Sequence, residues 1–285
     1  MTDSILPAIG PMIPLHDGAE IPQLGLGVYK VPEPQTAELV AGALRMGYRH
    51  VDTAALYVNE RGVGEGIRAS GLPREEVFVT TKVWNDAHGL DETRRAFDAS
   101  MALLGLETLD LYLIHWPAPR QNRFVDAWRA MIALRDEGRV RSIGVSNFEA
   151  HHVQRLVDET GVVPVVNQVE LHPHLPQTAL RQVNAALGIV TESWSPLARG
   201  QMLAEGSRDL AVLSAIGARH GRSAAQVALR WHVQQGLVVI PKSTSLRRVE
   251  ENAALFGWEL TDDDMAEIAT LETGARTGRH PDDLG

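Results

Sequence analysis

The sequence predicts an α/β protein built as one closed (β/α)8 domain, a TIM barrel, with a β-hairpin before it and extra helices at its C-terminal end; a doubly wound open sheet is the competing arrangement. Three observations predict it. Eight short apolar segments alternate with helical patterns along the chain, at a spacing of roughly 30 residues, the length of a βαβ unit. Segments such as Val162 to Val166 and Leu237 to Ile240 are apolar nearly throughout, as expected of strands covered on both faces. No Gly/Ser-rich linker or shift of composition divides the run, so residues 1–285 read as a single domain.

The elements follow in order. Ile13 to Leu15 and Ile21 to Gln23 flank His16-Asp17-Gly18-Ala19, and an Asp-Gly pair between short apolar runs signals a hairpin. Leu24 to Tyr29 is the first strand of the main fold, its glycines permitting close approach of another group or a tight bend. The alternation then runs helix 34–46, strand 48–52, helix 59–69, strand 77–81, helix 91–104, strand 109–114, helix 123–137 and strand 140–145. It continues with helix 149–159, strand 165–169, helix 176–187, strand 189–193, helices 208–219 and 223–235, strand 237–240 and helix 246–255. Thr261-Asp262-Asp263-Asp264 places a hydroxyl cap and acids at the start of a last helix, where unpaired amides and the dipole favour them, and Ser223 caps its helix in the same way. Gly71-Leu72-Pro73 and Gly138 stop the helices before them. The aperiodic tail from Gly274 to Gly285 reads as a surface loop.

Composition narrows the function. Lys and Arg number 27 against 36 acids, a formal charge of −9 with a pI near 5.7, which argues against nucleic acid as the main partner. Cysteine is absent, which removes disulfides and thiolate metal sites. Met1 to Met12 lacks a basic region followed by an apolar run, and no stretch of about 18 apolar residues exists. The expectation is a cytoplasmic protein with no membrane partner. A barrel of this kind needs no second copy to close its sheet, so a monomer is expected.

Chemistry is concentrated where strands end. Asp52 and Tyr57 follow one strand, Lys82 another and His115 a third, and in a parallel barrel those ends converge on one face. A free phenol titrates near 10, so an adjacent ammonium that stabilises the phenolate makes it a better acid. Lys82 can supply that charge, with Asp52 as the carboxylate that pairs it. His115 can donate to a carbonyl oxygen. The set suits protonation of an oxygen while something else attacks the carbonyl carbon. None of these groups delivers a hydride, so a reduction needs a cofactor. Ile240 to Arg248 ends the eighth strand and opens a helix with hydroxyls, amides and cations, a suitable place for a phosphate. Taken singly, each residue has an ordinary explanation as a turn, packing or surface group; the joint placement carries the reading.

The motifs Gly47 to Gly66, Lys82-Val83-Trp84-Asn85, Leu113-Ile114-His115-Trp116-Pro117, Gly144-Val145-Ser146-Asn147-Phe148, Asn167 to Pro173 and Ile240-Pro241-Lys242-Ser243 resemble, in order, those of the aldo-keto reductases. The resemblance covers about residues 10 to 283. It implies a (β/α)8 barrel that binds NADPH and reduces aldehydes or ketones, a small-molecule carbonyl being the substrate. It also implies that Tyr57 is the general acid, that Lys82 and Asp52 tune it, and that His115 orients the carbonyl. Ser146, Asn147 and Gln168 match residues that hold the nicotinamide carboxamide, and Trp194 matches the aromatic that stacks on the ring.

Trp194, with Gly27, Val28, Tyr29 and the His280-Pro281-Asp282 ending, resembles the bacterial 2,5-diketo-D-gluconate reductase branch. Ser195 and Leu197 belong to the same cofactor motif. Lys242, Ser243, Thr244, Ser245 and Arg248 match the region facing the adenosine 2′-phosphate, and Glu251 and Asn252 match adenine contacts, so NADPH or NADP+ is expected over NADH. Some relatives of that branch carry arginine where Ser245 stands, which weakens the expected preference. Tyr29, Trp84 and Trp116, with residues of the tail, should line a substrate pocket, and the short segment after Pro117 favours small, polar or varied substrates such as 2,5-diketo-D-gluconate, methylglyoxal, aryl aldehydes or β-keto esters.

Other patterns are declined. Gly62-x-Gly64-x-Gly66 lies in or beside a helix and is not a dinucleotide fingerprint. His172-Pro173-His174 lacks a carboxylate-histidine set at metal spacing, so no metal is expected; the resemblance sets His172 beside the cofactor. His151-His152 reads as a solvated helix start. The competing function is a regulatory subunit that senses the cofactor with little turnover, as the potassium-channel β subunits resemble this family. The presence of all four catalytic residue types, without an added N-terminal segment, speaks against it.

Overall fold

The computed structural model describes residues 6–284; residues 1–5 and 285, which the single-domain reading includes, lie outside the described residues. A hairpin of β1 (Met12–Pro14) and β2 (Glu20–Pro22) pairs antiparallel, Ile13 opposite Ile21. The main sheet contains β3 (Leu26–Gly27), β4 (His50–Asp52), β5 (Phe78–Val83), β6 (Leu109–Ile114), β7 (Val140–Ser146), β8 (Val166–Glu170), β9 (Val190–Trp194) and β10 (Val238–Val239), all parallel and in sequential order.

The open-sheet alternative is excluded by contacts between the two ends. Leu24 bridges Val239 and Gly27 bridges Lys242, both parallel. The amides of Gly25 and Val239 donate to Val239 and Gln23 carbonyls, each at 2.9 Å. The strand that begins the sheet therefore also completes it. Glycine is required at this seam: a Cβ on Gly27 would stand 2.9 Å from the Ile240 carbonyl oxygen, and one on Gly25 would stand 2.6 Å from His50 Nδ1. The hairpin covers the end of the barrel away from the strand C-termini. Leu15 and Ile21 pack there with Leu111, Leu113, Val165, Val166 and Val238.

The helices are α1 (Glu33–Arg45), α2 (Glu60–Ser70), α3 (Leu90–Leu104), α4 (Phe124–Asp136), α5 (Ala150–Thr160), α6 (Thr178–Ala186), α7 (Arg208–His220), α8 (Ala224–Gln234), α9 (Leu246–Ala253) and α10 (Asp262–Ala269). Ser223 and Thr261 complete capping boxes with Gln226 and Asp264, as the sequence leads one to expect. Gly71 ends α2 in the left-handed conformation.

Several boundaries move. Helix α6 is shorter than expected because His172 and Leu175 form an antiparallel bridge and Gln177 adopts φ 53°, which delays its start. The start of α5 is not solvated throughout. His152 is only 3% exposed and accepts from the Glu149 amide as half of a capping box, whereas His151 is exposed. Gly62, Gly64 and Gly66 lie within α2 and serve packing. A Cβ on Gly64 would stand 1.9 Å from the Leu104 carbonyl oxygen, and one on Gly66 would stand 2.7 Å from that of Ala37.

Gly64→Ala should therefore force α2 away from the end of α3. The expected loss is about 1–3 kcal/mol, read as a lower urea midpoint; an unchanged midpoint would show that the two helices separate freely.

Candidate active site

Register brings the strand-end residues together. Asp52 at the end of β4 lies opposite Thr80 of β5, Lys82 of β5 opposite Leu113 of β6, and His115 follows β6 directly. Lys82 is fully buried, and its ammonium donates to Asp52 Oδ1 at 2.6 Å, Asp52 Oδ2 at 2.8 Å and the Thr53 carbonyl at 2.9 Å. An ammonium has three N–H bonds, so each has an acceptor. Its Nζ is also 5.1 Å from the centroid of the Tyr57 ring.

Tyr57 leans on Tyr29, with ring centroids 4.9 Å apart, and meets the His115 ring edge to face at 5.6 Å. Trp84 packs on the other side of His115, 5.1 Å away. The chain leaves Tyr57 through Val58 at φ 56°, an unusual conformation for a β-branched residue that is 75% exposed. Such strain concentrates where a side chain must be aimed.

The electrostatics differ from the sequence expectation in one respect. Burial, then the charges of Asp52, Tyr29 and Glu192, push the Tyr57 phenol well above its ordinary value. Lys82 does not make it acidic in this state, because Asp52 compensates the ammonium. The phenol is thus held protonated. Burial, with Lys82 and His88, drives His115 well below its ordinary value, so it is a neutral imidazole.

Asp52, Tyr57 and His115 form the floor of a cavity of about 470 Å³ also lined by Tyr29, Trp84, Trp116 and Trp194, among others, with Lys82 buried beneath it. Gly27, Ser146, Asn147, Gln168, Ser195 and Lys242 also face it. Gln168 donates from Nε2 to Asp52 Oδ2 and Glu192 Oε2, each at 2.8 Å, which leaves its carbonyl oxygen as the free amide group. Asn147 is more fully engaged. Its Nδ2 donates to the His115 carbonyl and Ser146 Oγ, and its Oδ1 accepts from Trp194 Nε1 at 2.8 Å. Trp194 is thereby held in the cavity wall. Asn147 and Ser195 have φ of 63° and 49°, further strained positions at the rim.

Other expected residues are set back. Val28 is fully buried and Leu197 packs between core clusters, so neither side chain is a cavity wall. Ser243 folds its hydroxyl onto Ser245. Thr244 and Arg248 are exposed, Asn252 is nearly buried, and Glu251 pairs with Arg247 along α9. Lys242 faces Lys30 and Arg248; burial and these like charges push its ammonium below the ordinary value. A bound anion would relieve that crowding.

Sequence reasoning missed Lys30, Leu56, Arg199 and the buried acids Glu170 and Glu192. The tail is also more than a surface loop. Thr277 and Gly278 donate their amides to Glu170 at 2.6 and 3.0 Å, and Arg276 pairs with Glu149 at 2.8 Å. Burial raises the Glu170 carboxyl, but hydrogen bonds from His172, Thr277 and Gly278 outweigh it and bring it down to about 2. This anchoring brings Thr277, Gly278, Arg279 and Leu284 to the cavity. His172 is fully buried behind Glu170, 3.1 Å from it, and is not a cavity wall. A tail fixed by a strand-end acid has no local sequence signature.

Among the described residues one donor group is compact enough to share a metal ion, His151, His152 and Asp282. His152 Nδ1 accepts a backbone hydrogen bond, so the proton of the neutral ring sits on Nε2, 3.3 Å from Asp282 Oδ1. With its proton on Nε2, the ring withholds the lone pair a metal would need.

Fold and cavity define a barrel enzyme with a protonated phenol, a neutral imidazole and the Lys242 ammonium facing one cavity at the strand C-termini. The family model of the aldo/keto reductase family matches residues 23–273. An aldo-keto reductase of Mycolicibacterium smegmatis is 53% identical over 273 residues, covering 96% of this chain and 98% of that one. The methylglyoxal reductase DkgA of Salmonella typhimurium is 49% identical, with 96% and 98% covered. The crystal structure of a Gox0644 variant in complex with NADPH superposes with a TM-score of 0.91 at 47% identity, over 97% of this chain and 99% of that one. The chain belongs to the aldo/keto reductase family, and its reaction class is carbonyl reduction.

The buried pair is the part of this site most sensitive to substitution. Asp52→Asn leaves the Lys82 ammonium without its counter-charge, and a loss of roughly 3–5 kcal/mol is expected from chemical denaturation. A loss below about 1 kcal/mol would mean that Lys82 is neutral or hydrated.

Proposed function

We propose that the chain acts as a single-domain, monomeric, cytoplasmic NADPH-dependent reductase of small reactive carbonyls, with Tyr57 as the proton donor. The observation that carries this reading is the convergence of Asp52, Tyr57 and His115 on the floor of one cavity, with Lys82 buried beneath it against Asp52 and Lys242, which Lys30 and Arg248 crowd, at its edge. When bound, NADPH supplies the hydride. The overall change consumes a carbonyl compound, NADPH and one proton and yields an alcohol and NADP+.

The protein's part is positioning and proton supply. His115, neutral, donates to the carbonyl oxygen and orients it toward Tyr57. The Tyr57 phenol gives its proton to that oxygen as charge develops there. The resulting phenolate is stabilised by the nearby Lys82 ammonium, which Asp52 holds in place. The free carbonyl oxygen of Gln168, with Ser146 and the remaining lone pair of Asn147, would hold the carboxamide of the cofactor. Trp194, held by Asn147, would lie against its ring. Lys242 and Arg248, with Lys30, take the 2′-phosphate, while Ser243, Thr244, Ser245, Glu251 and Asn252 shape the adenosine end. Val28 and Leu197 support this region through packing.

Substrate choice follows from the mouth. Tyr29, Leu56, Trp84, Trp116 and Leu284 present an aromatic and aliphatic wall that accepts short aldehydes without demanding polar partners, and the 49% identical relative named for methylglyoxal supports this class. Arg199 and Arg279 also line the cavity, a feature that favours the second reading, an anionic sugar acid such as 2,5-diketo-D-gluconate. The formal charge of −9 supports the absence of a nucleic-acid partner. Among the described residues no helix is long and apolar enough to cross a membrane.

NADPH oxidation with methylglyoxal and 2,5-diketo-D-gluconate, compared as kcat/KM, decides between the two. A much higher value for the sugar acid would overturn the small-carbonyl reading. Tyr57→Phe should lower kcat at least about 100-fold while NADPH still quenches protein fluorescence; retained turnover would remove Tyr57 as the donor. Lys242→Ala should weaken NADPH binding about tenfold, one charge-assisted contact, and leave NADH binding nearly unchanged. Equal losses for both would place the 2′-phosphate elsewhere.

A further inference from the structure

The reaction described above makes no use of Glu192. It is fully buried at the centre of β9, where its Cα pairs with those of Gln168 and Val238. Its Oε2 accepts from Gln168 Nε2 at 2.8 Å, and the same amide nitrogen donates at 2.8 Å to Asp52 Oδ2. One side-chain amide thus joins two buried carboxyl groups. Its orientation is fixed by the Asp52 carboxylate, since the reversed amide would set its oxygen against it.

Charge counting gives the state of the second acid. Facing Glu192 are His50 and Asp52 of β4, Tyr57 from the turn after β4, Lys82 of β5 and the neutral amide of Gln168 on β8. Strand β10 and the closing segment 23–27 bring no titratable side chain. The ammonium of Lys82 spends its three N–H bonds on Asp52 and the Thr53 carbonyl. His50 does not supply a second cation: burial and Lys82 push its imidazole down to about 3, and its Nε2 engages Thr80 Oγ1 at 3.1 Å. Glu192 Oε1 is 3.7 Å from that nitrogen and has no hydrogen-bond partner among the described residues. One cation therefore faces two carboxyl groups in an interior where an uncompensated charge is costly.

We propose that Glu192 is a positioning residue which keeps its proton during turnover, so that Lys82 stays committed to Asp52 beneath Tyr57 while Glu192 Oε2 still holds the Gln168 amide. The inference rests on the reading of Tyr57 as proton donor. Burial and then Asp52 raise the Glu192 carboxyl to about 8, against the opposing pull of Gln168 and Lys82. Loss of that proton adds a negative charge facing Tyr57, where it makes the phenol a weaker acid, and opposes the charge balance of the Lys82 pair. Carbonyl reduction should therefore fall on the alkaline side as Glu192 ionises.

The test is the pH dependence of kcat for methylglyoxal reduction by the NADPH-loaded enzyme, wild type against Glu192→Gln, which is isosteric and cannot ionise. Wild type should show an alkaline limb with a midpoint near about 8, falling about tenfold for each further pH unit. In Glu192→Gln that limb should move up by at least about one unit or vanish. Coincident profiles would overturn the proposal. The proton-donor reading fails separately: retained turnover in Tyr57→Phe removes it, whereas an inactive Tyr57→Phe with coincident profiles removes only the role of Glu192. Should Glu192→Gln not fold, carbon NMR of wild-type protein labelled at its glutamate carboxyls decides. A carboxyl titrating near about 8 supports the proposal, and all glutamates titrating below about 6 overturn it.

Discussion

The Lys82 ammonium, bound between Asp52 and the Thr53 carbonyl, is the interaction on which the rest of the site depends. A lysine with no exposed surface is tolerated only when every N–H finds an acceptor and a counter-charge is near, because desolvation otherwise dominates. Two adjacent strands in parallel register supply both: β4 brings Asp52 and the Thr53 that follows it, and β5 brings Lys82. The positive charge is thereby fixed under the Tyr57 ring without being free to titrate the phenol in advance.

The seam that closes the barrel imposes a second constraint. Gln23 to Gly27 must approach the last strand closely enough for main-chain hydrogen bonds, and the glycines there admit Ile240 and His50 at distances a side chain would forbid. Closure has a functional consequence. It sets Gly27 and Tyr29 beside Ile240 and Lys242, so the catalytic floor and the cationic rim face one cavity. An open sheet with the same strands would place them on opposite edges.

The tail completes the mouth by a different kind of force. Glu170 at the end of β8 receives main-chain donors from Thr277 and Gly278, a local polar anchor in place of an apolar one. Arg276 with Glu149, and His152 facing Asp282, add contacts at the start of α5. The wall made by Arg279 and Leu284 therefore depends on a few charged contacts, whereas Trp84, Trp116 and Trp194 stand on the rigid barrel. The cavity thus has a stiff side and a tethered one.

Alternation of apolar runs with helical patterns was enough to determine the parallel strands and their order, because strands buried on both faces leave a continuous apolar signature. The polar residues Asp52, Tyr57, Lys82 and His115 were legible for the complementary reason: they interrupt or end such runs where a barrel gathers its chemistry. Tertiary structure alone decided what is not periodic. Closure needed the pairing of Leu24 and Gly27 with the last strand, more than 200 residues away in sequence. Ionisation states also lay beyond the sequence. Tyr57 is held protonated and Glu192 is raised because burial and neighbouring charges act through space, and the anchoring of Thr277 on Glu170 joins residues that share no local pattern.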